Sequence, residues 1–313
     1  MGVLEFLGIR DRAGGARAAA RDDDLFDDEF QRKLEYLAMV SKRVFSGAMR
    51  AERRTKKTGS GIEFADHRDY APGDDIRYLD WHAFQRFDRL LIRLYEEEED
   101  LSIYFILDTS SSMGFGEGQK LRQAKRLAAA LAYVGLANLD RIAIVTATDE
   151  ISGRMPTTRG KARIFRIFRF LSGVKADGET DLGEAMKTFV AQHKRKGLAV
   201  LLSDLYDPEG FERGINVLRF NRFEPYVIHL VDPRDGRPDV RGDVRVYDCE
   251  TGAEREVTVT AKVLEKYQHA YDGYLDEVQR FCTTRQVSYF RADVDASFDE
   301  LILRVFRRGG FLR

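Results

Sequence analysis

Three polar residues at alternate positions follow an apolar run about a third of the way along the chain. Residues 103–107, IYFIL, have the length and composition of a strand buried on both faces, and Asp108, Ser110 and Ser112 come directly after it. A helical pattern begins soon afterwards, near Gln119. In an open parallel sheet, the loop after such a strand lies in the crevice where ligands usually bind. The segment therefore indicates a metal or anion site, or else a polar turn whose serines only cap the next helix.

Two further polar residues are predicted to lie near these three. Thr180 is in the loop DGETDLG between two predicted helices, and Asp204 directly follows the apolar run 198–203. Because the carboxyl ends of parallel strands share one rim of a sheet, the carboxylates of Asp108 and Asp204 can converge there. The candidate metal ligands are Asp108, Ser110, Ser112, Thr180 and Asp204.

The chemistry of these candidates selects the kind of ion. All of them supply oxygen and none supplies nitrogen or sulfur, which suits Mg²⁺, with Mn²⁺ and Ca²⁺ as alternatives, and fits zinc poorly. Two of the side chains are carboxylates and the others are neutral hydroxyls. A divalent ion held in this way stays electrophilic, so we expect it to accept a further carboxylate from a partner protein.

The elements that must position these residues follow a regular alternation from residue 101 onward. Strand-like runs occur at 101–107, 141–147, 198–203, 225–231 and 286–291. Helical patterns separate them, starting near residue 119 and then at about 160–173, 182–194, 209–220, 260–283 and 296–307. This alternation predicts an α/β fold with a mostly parallel, doubly wound sheet. Residues 243–259 interrupt it with a predicted antiparallel hairpin.

The chain before residue 101 is predicted to form an N-terminal helical and short β extension. We divide the sequence into a flexible arm (1–24), a helix with a basic linker (25–58), a companion segment (59–100) and the α/β domain (101–313). The basic run 50–57 is interpreted as a solvated linker, with an acidic partner as the alternative. The companion segment is expected to bury its aromatic residues, Trp81 among them, against the α/β domain, since fewer than about 40 residues rarely form a core alone.

Composition limits the partners and the compartment. The formal net charge is -1, which gives no global field for binding nucleic acid. Cys249 and Cys282 make no disulfide framework and no metal-ligand spacing. The longest apolar run, 127–137, is well short of the roughly 20 residues that a membrane span needs. The N-terminus lacks the apolar region of a signal peptide. We therefore expect a cytoplasmic protein without direct membrane insertion.

The candidate ligands also match a known pattern. Asp-x-Ser-x-Ser, followed by a downstream Thr and a later Asp, resembles the metal-ion-dependent adhesion site of von Willebrand factor A domains. The resemblance implies a von Willebrand A-like, Rossmann-type fold in which Ser110, Ser112 and Thr180 bind the ion directly. It also implies that Asp108 and Asp204 bind the ion directly or through water.

A second resemblance covers the segment upstream. Residues 59–81, GSGIEFADHRDYAPGDDIRYLDW, followed by a strand and DTSSSM, look like the bacterial family called domain of unknown function 58. The matching residues are Gly61, Glu63, Phe64, Arg68, Tyr70, Gly73, Asp74, Arg77, Asp80 and Trp81. The resemblance implies a non-enzymatic adaptor or co-chaperone that works with a MoxR-type AAA+ ATPase or with a client protein presenting an acidic residue.

Other functions fit the residues less well. Haloacid-dehalogenase phosphatases also begin with an Asp after a buried strand, but they need a second Asp two residues later, where this chain has Ser110. A serine hydrolase would need glycines around its nucleophile, and a dinucleotide site would need G-x-G-x-x-G after the first strand. A Mg²⁺-dependent phosphatase-like enzyme using Asp108 and a metal-free structural domain remain as alternatives to the interaction module.

Overall fold

The computed structural model describes residues 25–37, 58–59, 63–96, 101–116 and 118–308. These residues form two compact units, one made of 25–37 with 101–308 and the other made of 58–96. The predictions for the arm 1–24, for the basic run 50–57 and for Gly61 lie outside the described residues.

The first element of the described residues is a helix. The helices of the described residues are α1 (residues 28–37), α2 (Trp81–Phe87), α3 (Gln119–Ala137), α4 (Ile164–Gly173), α5 (Leu182–Gln192), α6 (Phe211–Phe220), α7 (Pro233–Gly236), α8 (Ala261–Thr284) and α9 (Phe298–Arg308). The strands are β1 (Thr58–Gly59), β2 (Glu63–Asp69), β3 (Leu91–Glu96), β4 (Ser102–Asp108), β5 (Arg141–Ala147), β6 (Ile151–Thr158), β7 (Leu198–Ser203), β8 (Glu224–Val231), β9 (Gly242–Tyr247), β10 (Glu254–Val259) and β11 (Ser288–Asp293).

A six-stranded sheet in the order β11-β8-β7-β4-β5-β6 forms the centre of the larger unit. Every neighbouring pair is parallel except β5 and β6, which are antiparallel. The mixed α/β fold with a mostly parallel sheet is thus confirmed. Strand β6 was not predicted, because its segment ISGRMPTT contains Gly153 and Pro156 and shows no clear alternation of apolar and polar residues. Such a strand is tolerated at an edge, where β6 lies.

Alternate residues of the central strands face two different sets of helices. Tyr104 and Ile106 of β4 belong to a buried cluster that includes residues of α5, α6 and α8. On the opposite face, α3 comes so close to the sheet that a side chain at Gly135 would lie 2.7 Å from the Cδ1 atom of Ile142 and 3.4 Å from that of Ile103. Both faces of β4 are therefore covered, which explains why every residue of this strand is buried.

Helix α1 belongs to the same unit as the sheet. The ring of Phe26 stacks on Phe168 of α4, with centroids 4.5 Å apart, and Phe30 lies 5.0 Å from the ring of Phe298 on α9. Lys33 adds a 3.1 Å ion pair with Asp299. The predicted helix at about 25–45 thus packs on the larger unit through its apolar face, and its part beyond residue 37 lies outside the described residues.

The hairpin predicted at 243–259 is also present. Strands β9 and β10 pair antiparallel along their full length, from Gly242 opposite Val259 to Tyr247 opposite Glu254. They form a two-stranded sheet of their own. None of the helices within the described ranges is both long and apolar enough to cross a lipid bilayer.

The smaller unit is a three-stranded antiparallel sheet, in the order β1-β3-β2, together with α2. Two carboxylates of this unit are paired with nearby side chains: Arg68 donates two hydrogen bonds to Asp74, and His67 bonds Asp80 at 2.9 Å. The predicted burial of the aromatic residues is wrong for Phe64, Trp81 and Phe87, whereas Tyr70 and Phe84 are half-buried. The side chain of Trp81 is 58% exposed and that of Phe87 is 64% exposed. Apolar composition alone does not determine which rings are covered.

Candidate metal centre

The carboxyl ends of β4 and β7 bring the two candidate aspartates to one rim of the sheet. The strands are parallel neighbours, with Leu107 opposite Leu202, so Asp108 at the end of β4 is level with Ser203, and Asp204 is the next residue after β7. Both side chains are fully buried. The sequence-based expectation that these two carboxylates share one rim is confirmed by this register.

Each oxygen of the Asp108 carboxylate has a hydrogen-bond donor. The Ser110 amide donates to Oδ1 at 2.9 Å, and the Ser203 hydroxyl donates to Oδ2. Burial, followed by the negative charge of Asp204, raises the pKa of Asp108 to about 7. The chain therefore holds two carboxylates close enough to repel each other in a site shielded from water.

The two serine hydroxyls connect this loop to Asp204. The Oγ atoms of Ser110 and Ser112 are 3.0 Å apart, and the Ser112 hydroxyl donates to Oδ1 of Asp204 at 3.2 Å. Octahedral ligands at 2.0–2.1 Å from Mg²⁺ lie about 2.9 Å from their neighbours. The spacing of these three oxygens therefore fits adjacent positions around a small divalent cation.

The loop that carries Thr180 is held beside the serine loop by backbone hydrogen bonds. The Ser111 amide donates to the Gly178 carbonyl at 2.9 Å, and the Asp177 amide donates to the Thr109 carbonyl at 2.8 Å. Thr180 is buried, and its hydroxyl and amide both donate to the carboxylate of Glu250, at 2.8 and 2.9 Å. The structure thus brings all five candidates to one region, and their role as ligands stays a prediction.

A buried lysine adds a fixed positive charge to the same region. Lys120 of α3 donates from Nζ to Oδ2 of Asp204 at 2.7 Å and to Oδ2 of Asp235 at 3.0 Å. The Nζ atom lies 4.9 Å from the ring centre of Tyr206, whose hydroxyl donates to the same oxygen of Asp235. Burial lowers the pKa of Lys120, but the charges of Asp204 and Asp235 outweigh burial and raise it overall.

Sequence reasoning counted two negative charges at this site and missed further ones. The structure adds Asp235 and Glu250, and it adds the ammonium of Lys120. A signal for Lys120 existed, because it stands four residues before Ala124 and seven before Leu127 on the buried face of α3. No sequence pattern indicated that Glu250 lies at this site, because the sequence predicts only that it is part of a turn.

The backbone is unusual directly after Asp204. Leu205 has a φ of +61°, a left-handed conformation that is rare for a bulky residue. Its amide donates to the Ser203 hydroxyl at 2.8 Å, and its carbonyl accepts a hydrogen bond from Tyr274. These bonds hold the turn in a conformation of the kind that concentrates at functional sites.

The donor set is rich in hydroxyls rather than acids. Within the described ranges, no group of three or more His, Cys, Asp or Glu side chains is placed to hold a metal ion. A cation at this rim would therefore depend on the oxygens of Ser110, Ser112 and Thr180 in addition to the two aspartates.

Comparison with known proteins assigns the family. Residues 66–273, well over half of the chain, match the family described as a protein of unknown function, DUF58. The chain belongs to the DUF58 family. The matched range contains Asp108, Asp204 and the loops between them, so the rim described above lies within the part that defines the family.

Curated relatives in the mycobacteria extend this match. An uncharacterized protein of Mycobacterium tuberculosis and one of Mycobacterium bovis are each 27% identical to the chain over 263 residues, which is 82% of this chain and 82% of theirs. An uncharacterized protein of Mycobacterium avium is 34% identical over 101 residues, covering 32% of this DUF58 chain and 59% of its own.

Two solved bacterial structures align with part of the chain. The protein BatB from Bacteroides thetaiotaomicron aligns with 65% of this chain and 94% of its own, at 16% identity and a TM-score of 0.39. An aerotolerance-related membrane protein from Bacteroides fragilis aligns with 66% and 98%, at 16% identity and a TM-score of 0.38.

Proposed function

We propose that this DUF58 protein is a divalent-cation-dependent protein-interaction module with a von Willebrand A-like, doubly wound α/β domain. The observation that carries the proposal is the spacing of the Ser110, Ser112 and Asp204 oxygens at the rim, 3.0 and 3.2 Å apart. Mg²⁺ is the proposed ion, with Mn²⁺ and Ca²⁺ as alternatives, because all donors are hard oxygens.

The proposed partner supplies an acidic residue. The charges of Asp108 and Asp204 balance that of a divalent ion, and the ammonium of Lys120 offsets Asp235. The hydroxyl ligands add no charge, so we expect a coordination position of the ion to be open to a further carboxylate. From the family resemblance, the partner is a MoxR-type AAA+ ATPase or its client, for which this chain acts as an adaptor. Loading with metal and binding of the partner then strengthen each other reciprocally.

We propose that the site is not catalytic. A phosphatase of the haloacid-dehalogenase type would use Asp108 as its nucleophile. Here both oxygens of that carboxylate accept hydrogen bonds from Ser110 and Ser203, and the side chain is fully buried. Turnover of a phosphomonoester that disappears in Asp108→Asn would contradict this point.

The metal test compares serine variants of a single loop. A ligand present at 100 times its Kd stabilises the folded state by about 2.7 kcal/mol. For a domain of this size this raises the Tm by about 5–11 °C. We expect Mg²⁺ to do so for wild type and for Ser111→Ala, whose side chain is half-buried and bonds the Gly178 carbonyl. Ser110→Ala combined with Ser112→Ala should remove most of the response.

The partner test uses the same variants. The tagged protein should capture its ATPase from the native host in Mg²⁺, and EDTA or the double serine substitution should abolish the capture. A complex that survives both treatments would show that the interface lies elsewhere. Absence of any Mg²⁺ or Mn²⁺ response in the folded wild type would instead favour the metal-free structural alternative.

A further inference from the structure

A carboxylate of the chain itself already lies at the hydroxyl-rich rim. Glu250 accepts hydrogen bonds from the Thr180 amide at 2.9 Å and from the Thr180 hydroxyl at 2.8 Å. Ser112 and Glu250 also line the same cavity. One acidic side chain therefore bonds the loop that carries Thr180 and lies near the loop that carries Ser112.

Hydrogen bonds within the turn between β9 and β10 fix the backbone on both sides of Glu250. The Asp248 side chain accepts hydrogen bonds from the amides of Glu250, at 2.8 Å, and Thr251, at 3.1 Å. The Asp248 amide donates to the Ala253 carbonyl at 2.8 Å, which closes the turn. Glu250 thus sits near the tip of a hairpin, 70 residues along the chain from Thr180.

The hairpin is lightly attached to the rest of the larger unit. Of its strand residues, only Val246 and Val259 are buried. A cavity of about 240 Å³ lies beneath the turn, lined by Asp248, Cys249 and Glu250 on one side and by Tyr206, Phe211 and Tyr274 on the other. Isolated two-stranded hairpins are only marginally stable. The strands of the hairpin therefore bury little of their surface against the rest of the unit.

We infer that Glu250 is an internal acidic ligand that occupies the place of the partner's carboxylate, so that a partner binds only after the hairpin withdraws. This inference rests on the proposed function. The donors held by Glu250 are the hydroxyl and the amide of Thr180, and a carboxylate approaching an ion beside Thr180 would need the same two donors. Glu250 and the acidic residue of the partner cannot accept from these donors at the same time. The hairpin therefore inhibits the site, and only a partner that binds tightly enough to displace Glu250 can occupy it.

The experiment uses Mn²⁺ as the metal and acetate as the probe. Binding of acetate to the Mn²⁺-loaded full chain is measured from the paramagnetic relaxation of its methyl protons. While Glu250 occupies the site, only the fraction of molecules with a free site can bind acetate. Removing Glu250 makes all molecules competent, so the affinity for acetate rises by the inverse of that fraction. We expect Glu250→Ala to bind acetate about 5–150-fold more tightly than wild type, the usual range of such couplings. Glu250→Gln should also bind more tightly, because it loses the charge and keeps the shape.

A matched control lies on the same hairpin. Glu254→Ala removes an exposed acid from the start of β10 that pairs with Arg245, at 3.6 Å, and does not touch the rim. It should bind acetate as wild type does. Equal acetate affinity in wild type, Glu250→Ala and Glu250→Gln, all loaded with Mn²⁺, would overturn the inference and leave the metal proposal intact.

Two other outcomes separate the proposals. Loss of Mn²⁺ binding in both Glu250 variants would overturn the inference, because Glu250 would then be a ligand that the ion requires rather than a displaceable competitor. Failure of the folded wild type to bind Mn²⁺ at all would overturn the proposed function together with the inference.

Discussion

Replacement of Lys120 by methionine tests the buried charges of the candidate centre most directly. The change keeps most of the side-chain length and removes the ammonium that bonds Asp204 and Asp235. The side chain of Lys120 is 1% exposed, and those of its two partners are 1% and 4% exposed. Water cannot replace the lost charge, so two buried carboxylates are left without their cation.

The size of the effect follows from this burial. Removing one partner of a buried ion pair costs about 3–5 kcal/mol, because it leaves an uncompensated charge. For a unit of about 200 residues, each kcal/mol lowers the Tm by about 2–4 °C. Lys120→Met should therefore lower the Tm by about 6–20 °C in the absence of divalent cations.

The assay is thermal unfolding with and without Mg²⁺. The control is Lys187→Met, the same change at an exposed lysine that pairs with Glu184 on the surface. An exposed pair of this kind contributes about 0–1 kcal/mol. Mg²⁺ should restore more stability to Lys120→Met than it adds to wild type, because Asp204 has lost its internal counter-charge. A loss of Tm no greater than that of Lys187→Met would refute the reasoning.

Three further predictions concern packing. Gly214→Ala on α6 should lower the free energy of unfolding by about 1–3 kcal/mol, because a Cβ atom there would lie 2.8 Å from the Cβ of Leu182. The control Gly173→Ala adds a methyl group in open space and should be close to neutral. Denaturant titration measures both changes. Trp81→Ala should cost about 1 kcal/mol or less, because the ring is mostly exposed. Phe30→Ala should lower the free energy of unfolding by about 3–5 kcal/mol, because Phe30 is 1% exposed and its ring lies against Phe168 and Phe298. Equal losses of stability for Phe30→Ala and Trp81→Ala would contradict this packing.

Much of the architecture of the larger unit was predictable from the sequence. The five predicted strands lie within about two residues of β4, β5, β7, β8 and β11. Four of them, β4, β5, β7 and β8, are largely apolar runs, and burial on both faces leaves such a run few alternatives to a central strand. Strand β11 lies at an edge and mixes apolar with polar residues. Strand β6 was missed because an edge strand needs no such pattern.

The smaller unit shows where composition misleads. The apolar character of Trp81 and Phe87 predicts that they are buried, yet both rings are mostly exposed. Which aromatic residue is covered depends on the direction of its side chain and on the neighbouring elements, and neither is encoded by the composition of a short stretch.

The sequence by itself determined the positions of Asp108, Ser110, Ser112 and Asp204, because each lies at the end of a strand or in the loop that follows it. Only the tertiary structure decided the surroundings of these residues. Lys120 is 84 residues from Asp204, and Thr180 is 70 residues from Glu250. The order of the strands brings such residues together, and local periodicity does not specify that order. The tertiary structure therefore supplied the internal cation and the internal acid at the rim, and these two charges govern what else the site can bind.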